Sequence, residues 1–314
     1  MIEGIPKISV CIICYKQEEL IKRAINSLLA QKDYIYEICV SDDCSPDNTW
    51  NVLLEYDKKY PGLFKLHQNN PNVGIFENIE NTWSMPSGDI VYLLAGDDEA
   101  GDGWFKTVVE YIINNNIDYK NELFCIYGDY KCIYPNGDSF VLKNDLVIKH
   151  DSLALALRGL ISNRSACYSI HILEKFKKKS QGRSHIAEDV IDRQLQLYSK
   201  QNYYISKVGN IYYGRIGVSI SIDDTTQKER DKMKEYCLSF LESEGIVFST
   251  KERKRLLKGD IISIKRNPKY LGLDYLFTLF GFYEREFGID SLKLKYLLIA
   301  ILRRIPHKKP IEFK

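Results

Sequence analysis

The feature that most constrains this chain is an alternation, over its first 115 residues, of short apolar runs and amphipathic helical stretches joined by short links. Ile8 to Cys14 reads ISVCIIC, a β-rich apolar run of the kind buried on both faces in a parallel sheet. After it, Leu20, Ile21, Ala24, Ile25, Leu28 and Leu29 fall on one helical stripe. The pattern then repeats. Strands are expected at Tyr36 to Val40, Leu63 to His67 and Asp89 to Leu94, with helices over Thr49 to Lys59, Phe76 to Trp83 and Gly103 to Asn115. Such alternation predicts an α/β fold with a doubly wound, mostly parallel sheet flanked by helices.

In sheets of this kind ligands bind beyond the carboxyl ends of the strands. Two of those ends carry paired aspartates. The second strand runs into Ser41-Asp42-Asp43-Cys44-Ser45-Pro46-Asp47, and the fourth into Ala95-Gly96-Asp97-Asp98-Glu99. A helix N-cap is a competing role for Asp42 or Asp43, but Ser45 and Asp47 are available for it.

Past Phe124 the pattern changes. Phe124 to Tyr130 and Lys131 to Leu142 read as strands joined at Pro135-Asn136-Gly137, a hairpin turn. Helices are expected over 151–160, 171–179 and 187–200, strands over Tyr203 to Val208 and Ile211 to Arg215, and a mostly helical stretch from about Thr226 onward. At 314 residues there is room for one large domain and an appendage. The division expected is 1–224, with halves of about 1–120 and 121–224, followed by a basic helical region over 225–314.

Composition is that of a globular protein, 45% hydrophobic and 27% charged. The net charge of +2 is unevenly spread: from residue 225 onward there are 20 Lys and Arg against 12 Asp and Glu, while the first 224 residues carry a balance of −6. A basic tail after an acidic body suits contact with an anionic surface, and solvated helix faces account for it equally well. Leu292 to Ile305 has an apolar body bracketed by Lys and Arg, as in an interfacial helix or one packed on a partner, and falls short of the roughly 18 residues of a span. Nucleic-acid binding would rest on that tail alone, with no reading motif, so no nucleic-acid partner is expected. The start of the chain lacks the charged and apolar regions of a secretory leader, so a cytoplasmic location with reduced thiols is expected. Cys11 and Cys14 sit three apart at a strand end and point to opposite faces, which disfavours zinc. No G-x-G-x-x-G is present for a dehydrogenase, and Cys14-Tyr15-Lys16-Gln17-Glu18 lacks the glycines a triphosphate-cradling loop needs.

Taken in order, the motifs resemble the family 2 glycosyltransferases, enzymes of the GT-A fold. The resemblance rests on Val10 to Glu18, on Val40 to Thr49, on Gly74-Ile75-Phe76-Glu77-Asn78, on Gly88-Asp89-Ile90 leading to Asp97-Asp98, and on Glu188-Asp189; it covers roughly residues 6–220. Two departures stand out. Ala95 occupies the place of an extra upstream Asp, and Tyr213-Gly214-Arg215-Ile216-Gly217 has the late Arg without a following His.

The resemblance implies an inverting transfer of a sugar from a nucleotide-diphosphate donor, UDP- or dTDP-linked, to a hydroxyl of a glycan or lipid-linked glycan, in cell-surface polysaccharide synthesis. A leaving diphosphate is stabilised by Mn2+ or Mg2+, hard cations that keep waters and need only one or two protein carboxylates. The resemblance assigns Asp98 to the metal, with Asp97 contacting metal, donor sugar or ribose. It assigns one of Asp42 and Asp43, with Asp43 preferred, to the N3–H of a pyrimidine base, a charge-assisted hydrogen bond. Backbone near Ile13 and the ring of Tyr15 would flank that base, and Asn78 and Gly74 would approach the nucleotide or diphosphate. Asp189, next to Glu188, is the expected base for the acceptor hydroxyl; a helix N-terminus would favour an acidic residue there as well. The C-terminal region is expected to touch the inner face of the plasma membrane or a partner. A relative of the same fold that only binds nucleotide-sugar or scaffolds a membrane complex is the competing reading.

Overall fold

The computed structural model describes residues 4–133, 137, 139–144, 165–177, 199 and 201–213, together with positions 235, 239, 242, 247 and 250. The chain divides into two compact units, one of Met1–Ala156 with Ile161–Met233, the other of Leu157–Leu160 with Lys234–Lys314. All the strands and helices below belong to the first. The expected helices at 151–160 and 187–200 lie outside the described residues, Ser199 excepted, as does the tail segment 292–305.

Four parallel strands form one half of the sheet: β1 (Ile8–Cys14), β2 (Glu37–Asp42), β3 (Phe64–Gln68) and β4 (Ile90–Ala95), in the order β3-β2-β1-β4. Helices connect them as the alternation requires: α1 (Leu20–Leu29), α2 (Thr49–Lys59) and α3 (Ile75–Trp83). The apolar stripe of α1 is real, since Ile21, Ala24, Ile25 and Leu28 are all fully buried. Full burial of an Ile or Leu side chain stabilises by roughly 1.5–3 kcal/mol, before the entropy of ordering it is deducted. α3 buries Phe76, Ile79 and Trp83 and packs on β1 and β2.

Beyond β4 the sheet becomes mixed. After the two-residue β5 (Glu99–Ala100) and α4 (Trp104–Asn114), β6 (Phe124–Ile133) forms a hairpin with β7 (Ser139–Leu142). β8 (Ala166–Ser169) inserts antiparallel between β4 and β6, α5 (Ile170–Lys177) follows, and β9 (Gln201–Tyr213) runs parallel to β6. The last antiparallel step pairs β9 with β5, Glu99 opposite Ile211 and Ala100 opposite Asn210. This brings the end of β9 to the acidic turn after β4.

One core residue sets the spacing in this second half. Trp104 is fully buried, and a methyl group on Gly128 or Gly209 would come within 2.7 or 2.8 Å of its indole. Glycine is therefore needed on both strands for β6 and β9 to close over that ring. The strand expected at 203–208 and the described part of the one expected at 211–215 run as one through Gly209.

Candidate active site

Register places the ends of the parallel strands at one level. Cys14 is opposite Asp42, Asp42 opposite Gln68, and Ile13 opposite Ala95. The chain winds outward from β1 to β3 and then returns to β4 on the other side of β1. That reversal is the switch point at which α/β sheets bind ligands, and both aspartate pairs stand on it.

Asp42 ends β2 fully buried. Its carboxylate accepts from Ser45 N and Gln68 Nε2, each at 3.0 Å, and from the Ser45 hydroxyl. The Cys14 thiol lies 3.7 Å away, and burial together with the Asp42 charge pushes that thiol well above its ordinary range. Ser45 Oγ also accepts from Lys16 N at 3.0 Å, where the backbone takes a left-handed φ of 56°. A non-glycine residue holds that conformation at some cost, and only where its surroundings fix it. Asp47 accepts from Thr49 N and Glu18 N, starting α2 and tying down the loop after β1. Asp42 and Asp47 thus shape the Tyr15–Glu18 loop, in which Tyr15 is half-buried.

Asp43 does the same for the loop after β3. Its Oδ1 accepts from Asn69 Nδ2 at 3.0 Å and Val73 N at 2.8 Å, and its Oδ2 from Gly74 N at 2.9 Å. Gly74 has a φ of 89°, which a side chain would strain, and starts α3. Asn78 is buried behind this loop; its Oδ1 accepts from Asn69 Nδ2 and its Nδ2 donates to the Ser41 carbonyl. Its side chain therefore supports Asp43 through Asn69. Asp42 is enclosed by four donors, whereas Asp43 is 3% exposed and has three, one fewer than a carboxylate can accept.

Across β1, the Asp97-Asp98 turn is seated by Gly96, whose N donates to the Ile13 carbonyl at 3.0 Å. A methyl group there would overlap Gln17 Oε1 and meet Cys14 Cβ and Ile13 O at 3.0 and 3.1 Å, so a side chain at this position would push the turn or Gln17 off the end of β1. Asp98 is 1% exposed, and its Oδ1 is 3.4 Å from the donating Tyr213 N. Asp97 is half-buried, and its carbonyl accepts from Arg23 Nη2 at 2.6 Å. Arg23 Nε lies 3.0 Å from Glu99 Oε1 as an ion pair without hydrogen-bond alignment, and that oxygen accepts the Tyr213 hydroxyl at 2.6 Å. The guanidinium stands over the Tyr213 ring, 3.6 Å from its centre. Burial, with the Glu99 hydrogen bond and charge added, pushes the Tyr213 hydroxyl up to about 12, so it stays a donor at neutral pH.

Two adjacent carboxylates on a strand-end turn fit a hard cation that brings phosphate oxygens and waters of its own. They do not make a self-sufficient cage: among the described residues no group of three or more His, Cys, Asp or Glu is placed to hold a metal. Glu99 is committed to Arg23 and Tyr213.

The structure thus brings Ile13, Tyr15, Asp42, Asp43, Gly74, Asn78, Asp97 and Asp98 to one edge of the sheet. Glu188 and Asp189 lie outside the described residues, as does Arg215. Sequence reasoning missed Arg23, Asn69 and Tyr213. Arg23 sits on a helical stripe read for its apolar residues, and Tyr213 is far from Arg23 in sequence, so neither carries a local signal.

Both acidic strand ends therefore stand where sheets of this kind bind ligands. Comparison with known proteins makes the resemblance specific: residues 9–120 match the model of glycosyl transferase family 2. A Campylobacter jejuni relative named as GalNAc(5)-diNAcBac-PP-undecaprenol beta-1,3-glucosyltransferase is 26% identical over 221 residues, covering 66% of this chain and 64% of the relative. The processive diacylglycerol beta-glycosyltransferase of Mycoplasma pneumoniae is 27% identical over 156 residues, 49% of this chain and 42% of that protein. A Mycobacterium tuberculosis protein matches at 34% over 91 residues, only 26% of its length. The chain therefore spans between about a quarter and two thirds of these relatives. Among solved structures, S. aureus TarS residues 1–349 superpose with a TM-score of 0.60 at 15% identity, over 95% of this chain and 88% of that one. The fold is accordingly of the GT-A glycosyltransferase type.

Proposed function

We propose that this chain is an inverting glycosyltransferase that moves a sugar from a UDP- or dTDP-sugar to a hydroxyl of a glycan or lipid-linked glycan during cell-surface polysaccharide synthesis. The observation that carries the reading is the convergence of Asp43 and the Asp97-Asp98 turn on either side of the β1 end, within the segment that matches the family. Lipid-linked acceptors are favoured by the names of the Campylobacter and Mycoplasma relatives, and a UDP-sugar donor by the S. aureus TarS complex with UDP-GlcNAc. Work at the inner face of the plasma membrane, with the basic C-terminal region at the lipid surface, fits such an acceptor.

In this reading Asp43 uses its remaining acceptor capacity for the N3–H of the base, with Tyr15 and the backbone at Ile13 flanking the ring. Gly74 and the loop held by Asp43 border the diphosphate, and Asn78 keeps Asn69 and Asp43 in place. Asp98, with Asp97, would hold Mn2+ or Mg2+, which when bound neutralises the charge of the departing diphosphate. The acceptor oxygen attacks the anomeric carbon from the face opposite the nucleotide. A carbon–oxygen bond forms as the bond to the diphosphate breaks, and the nucleoside diphosphate leaves with the electron pair. The hydroxyl proton passes to Asp189, with Glu188 beside it.

The test is a thermal-shift screen of UDP-, dTDP-, GDP- and CMP-sugars with Mn2+. A ligand at about a hundredfold its Kd stabilises by about 2.7 kcal/mol, and domains of roughly 150–250 residues shift by about 2–4 °C per kcal/mol. A UDP- or dTDP-sugar should therefore raise Tm by roughly 5–11 °C. No shift with any of the four overturns the donor reading, and a shift confined to GDP-sugars overturns the assignment of Asp43.

A further inference from the structure

Three elements far apart in sequence meet around the turn that carries Asp98: α1 through Arg23, β5 through Glu99 and the end of β9 through Tyr213. The contacts are of three kinds. Arg23 Nη2 holds the Asp97 carbonyl at 2.6 Å, and the guanidinium pairs by charge with Glu99, its Nε 3.0 Å from Oε1 without hydrogen-bond alignment, so one cation engages the chain on both sides of Asp98. Tyr213 meets Asp98 through its main-chain N–H and meets Glu99 through its hydroxyl. Its ring then forms the floor under the guanidinium. Only a planar fork on an aromatic face makes all the Arg23 contacts at once; a lysine in its place would keep the charge and lose the geometry. The charge balance has its own consequence. A lone arginine beside two aspartates would repel a divalent cation, and Glu99 neutralises it locally.

The geometry points to Arg23, Glu99 and Tyr213 as positioning residues that pre-set the Asp97-Asp98 turn for a divalent cation bound with a nucleoside diphosphate. The inference rests on the donor-site reading above and adds to it three residues to which that reading gives no part. Outer partners that orient metal ligands are commonly worth 10- to 100-fold in metal affinity. A purely structural role for the cluster would instead lower thermal stability and weaken every ligand alike.

The experiment is Mn2+ binding followed by electron paramagnetic resonance at saturating UDP, and separately at saturating dTDP. It is run on wild-type protein, Arg23→Lys and Tyr213→Phe, beside nucleotide affinity in EDTA and Tm without ligand. Arg23→Lys should weaken nucleotide-dependent Mn2+ uptake by about tenfold or more, while metal-free nucleotide affinity stays within about twofold. Tyr213→Phe keeps the ring and loses only the hydroxyl; it should lower uptake by a smaller factor of about threefold, and it tests the cluster if the lysine variant does not fold. Unchanged Mn2+ uptake in the variants overturns the inference, as does a parallel loss of Mn2+ and metal-free nucleotide binding. Wild-type protein that takes up no Mn2+ with either nucleotide overturns the donor-site reading and this inference with it, a result distinct from the other two.

Discussion

Replacing Asp43 by asparagine should destabilise the domain and, on the proposed donor-site reading, weaken nucleotide binding as well, because the carboxylate that holds the 69–74 loop is the one assigned to the base. Oδ1 takes Asn69 Nδ2 and Val73 N, and Oδ2 takes Gly74 N, all at 2.8–3.0 Å in a residue only 3% exposed. Asparagine preserves one oxygen and its two donors. At the other position it sets an NH2 group against the Gly74 N–H, donor facing donor. Hydrogen bonds to a charged group contribute about 1.5–3 kcal/mol, and a buried donor left without a partner costs about 1–3 kcal/mol. Some relaxation of the 69–74 loop offsets part of this, leaving a loss of about 2–3 kcal/mol. At about 2–4 °C per kcal/mol, Tm should fall by roughly 4–12 °C in a circular-dichroism melt. Asn69→Ala should be non-additive with it, since the two side chains share a bond, with a coupling of about 0.5–3 kcal/mol. A melt of Asp43→Asn within about 1 °C of wild type, or full additivity with Asn69→Ala, would refute the account of this loop.

Two further predictions concern the transfer step and the pH dependence of stability. Asp189→Asn should abolish sugar transfer while leaving nucleotide affinity within about twofold, because the proton acceptor acts on the acceptor side; retained transfer dismisses Asp189 as the base. At the far end of β2, burial opposes the charge of Glu37, but hydrogen bonds from Lys65, Ser9 and Ser87 outweigh it and hold its carboxyl below the usual range. A depressed folded value contributes stability that is present at neutral pH and lost as pH falls below about 4.5 through that lower value. Wild-type Tm should therefore drop more steeply than that of Glu37→Gln in melts below that pH, and parallel profiles would show that the Glu37 bonds do not favour its ionised form.

The legible part of the fold was the part with periodicity. β1, α1 and α2 fall where their apolar patterns place them, because each buries a stripe long enough to repeat. β2 runs two residues further than expected, through Ser41 to Asp42. Those residues have loop chemistry, yet pairing with β1 and β3 on both sides keeps them extended. β5 and β8 escaped notice for a simpler reason: strands of two and four residues show no alternation, and their partners lie far away in sequence. The same holds for the site. Paired aspartates at strand ends are a local signal, readable once the strands are placed. That Asp42 is spent on Ser45 and Gln68 while Asp43 keeps some capacity is decided by side chains brought in from β3 and its loop. Arg23 and Tyr213 meet only because β9 pairs with β5.

The proposed site depends on Asp98 holding a divalent cation against a nucleoside diphosphate. Isothermal titration of UDP and of dTDP into wild-type and Asp98→Asn protein, each with Mn2+ and with EDTA, measures that dependence. In wild type, EDTA should weaken binding of the preferred nucleotide by about tenfold or more. In Asp98→Asn, affinity should already be low and EDTA should change it little, because the substitution and the chelator remove the same interaction. An Asp98→Asn protein that binds the nucleotide as tightly as wild type in Mn2+, and still loses it to EDTA, would contradict the claim.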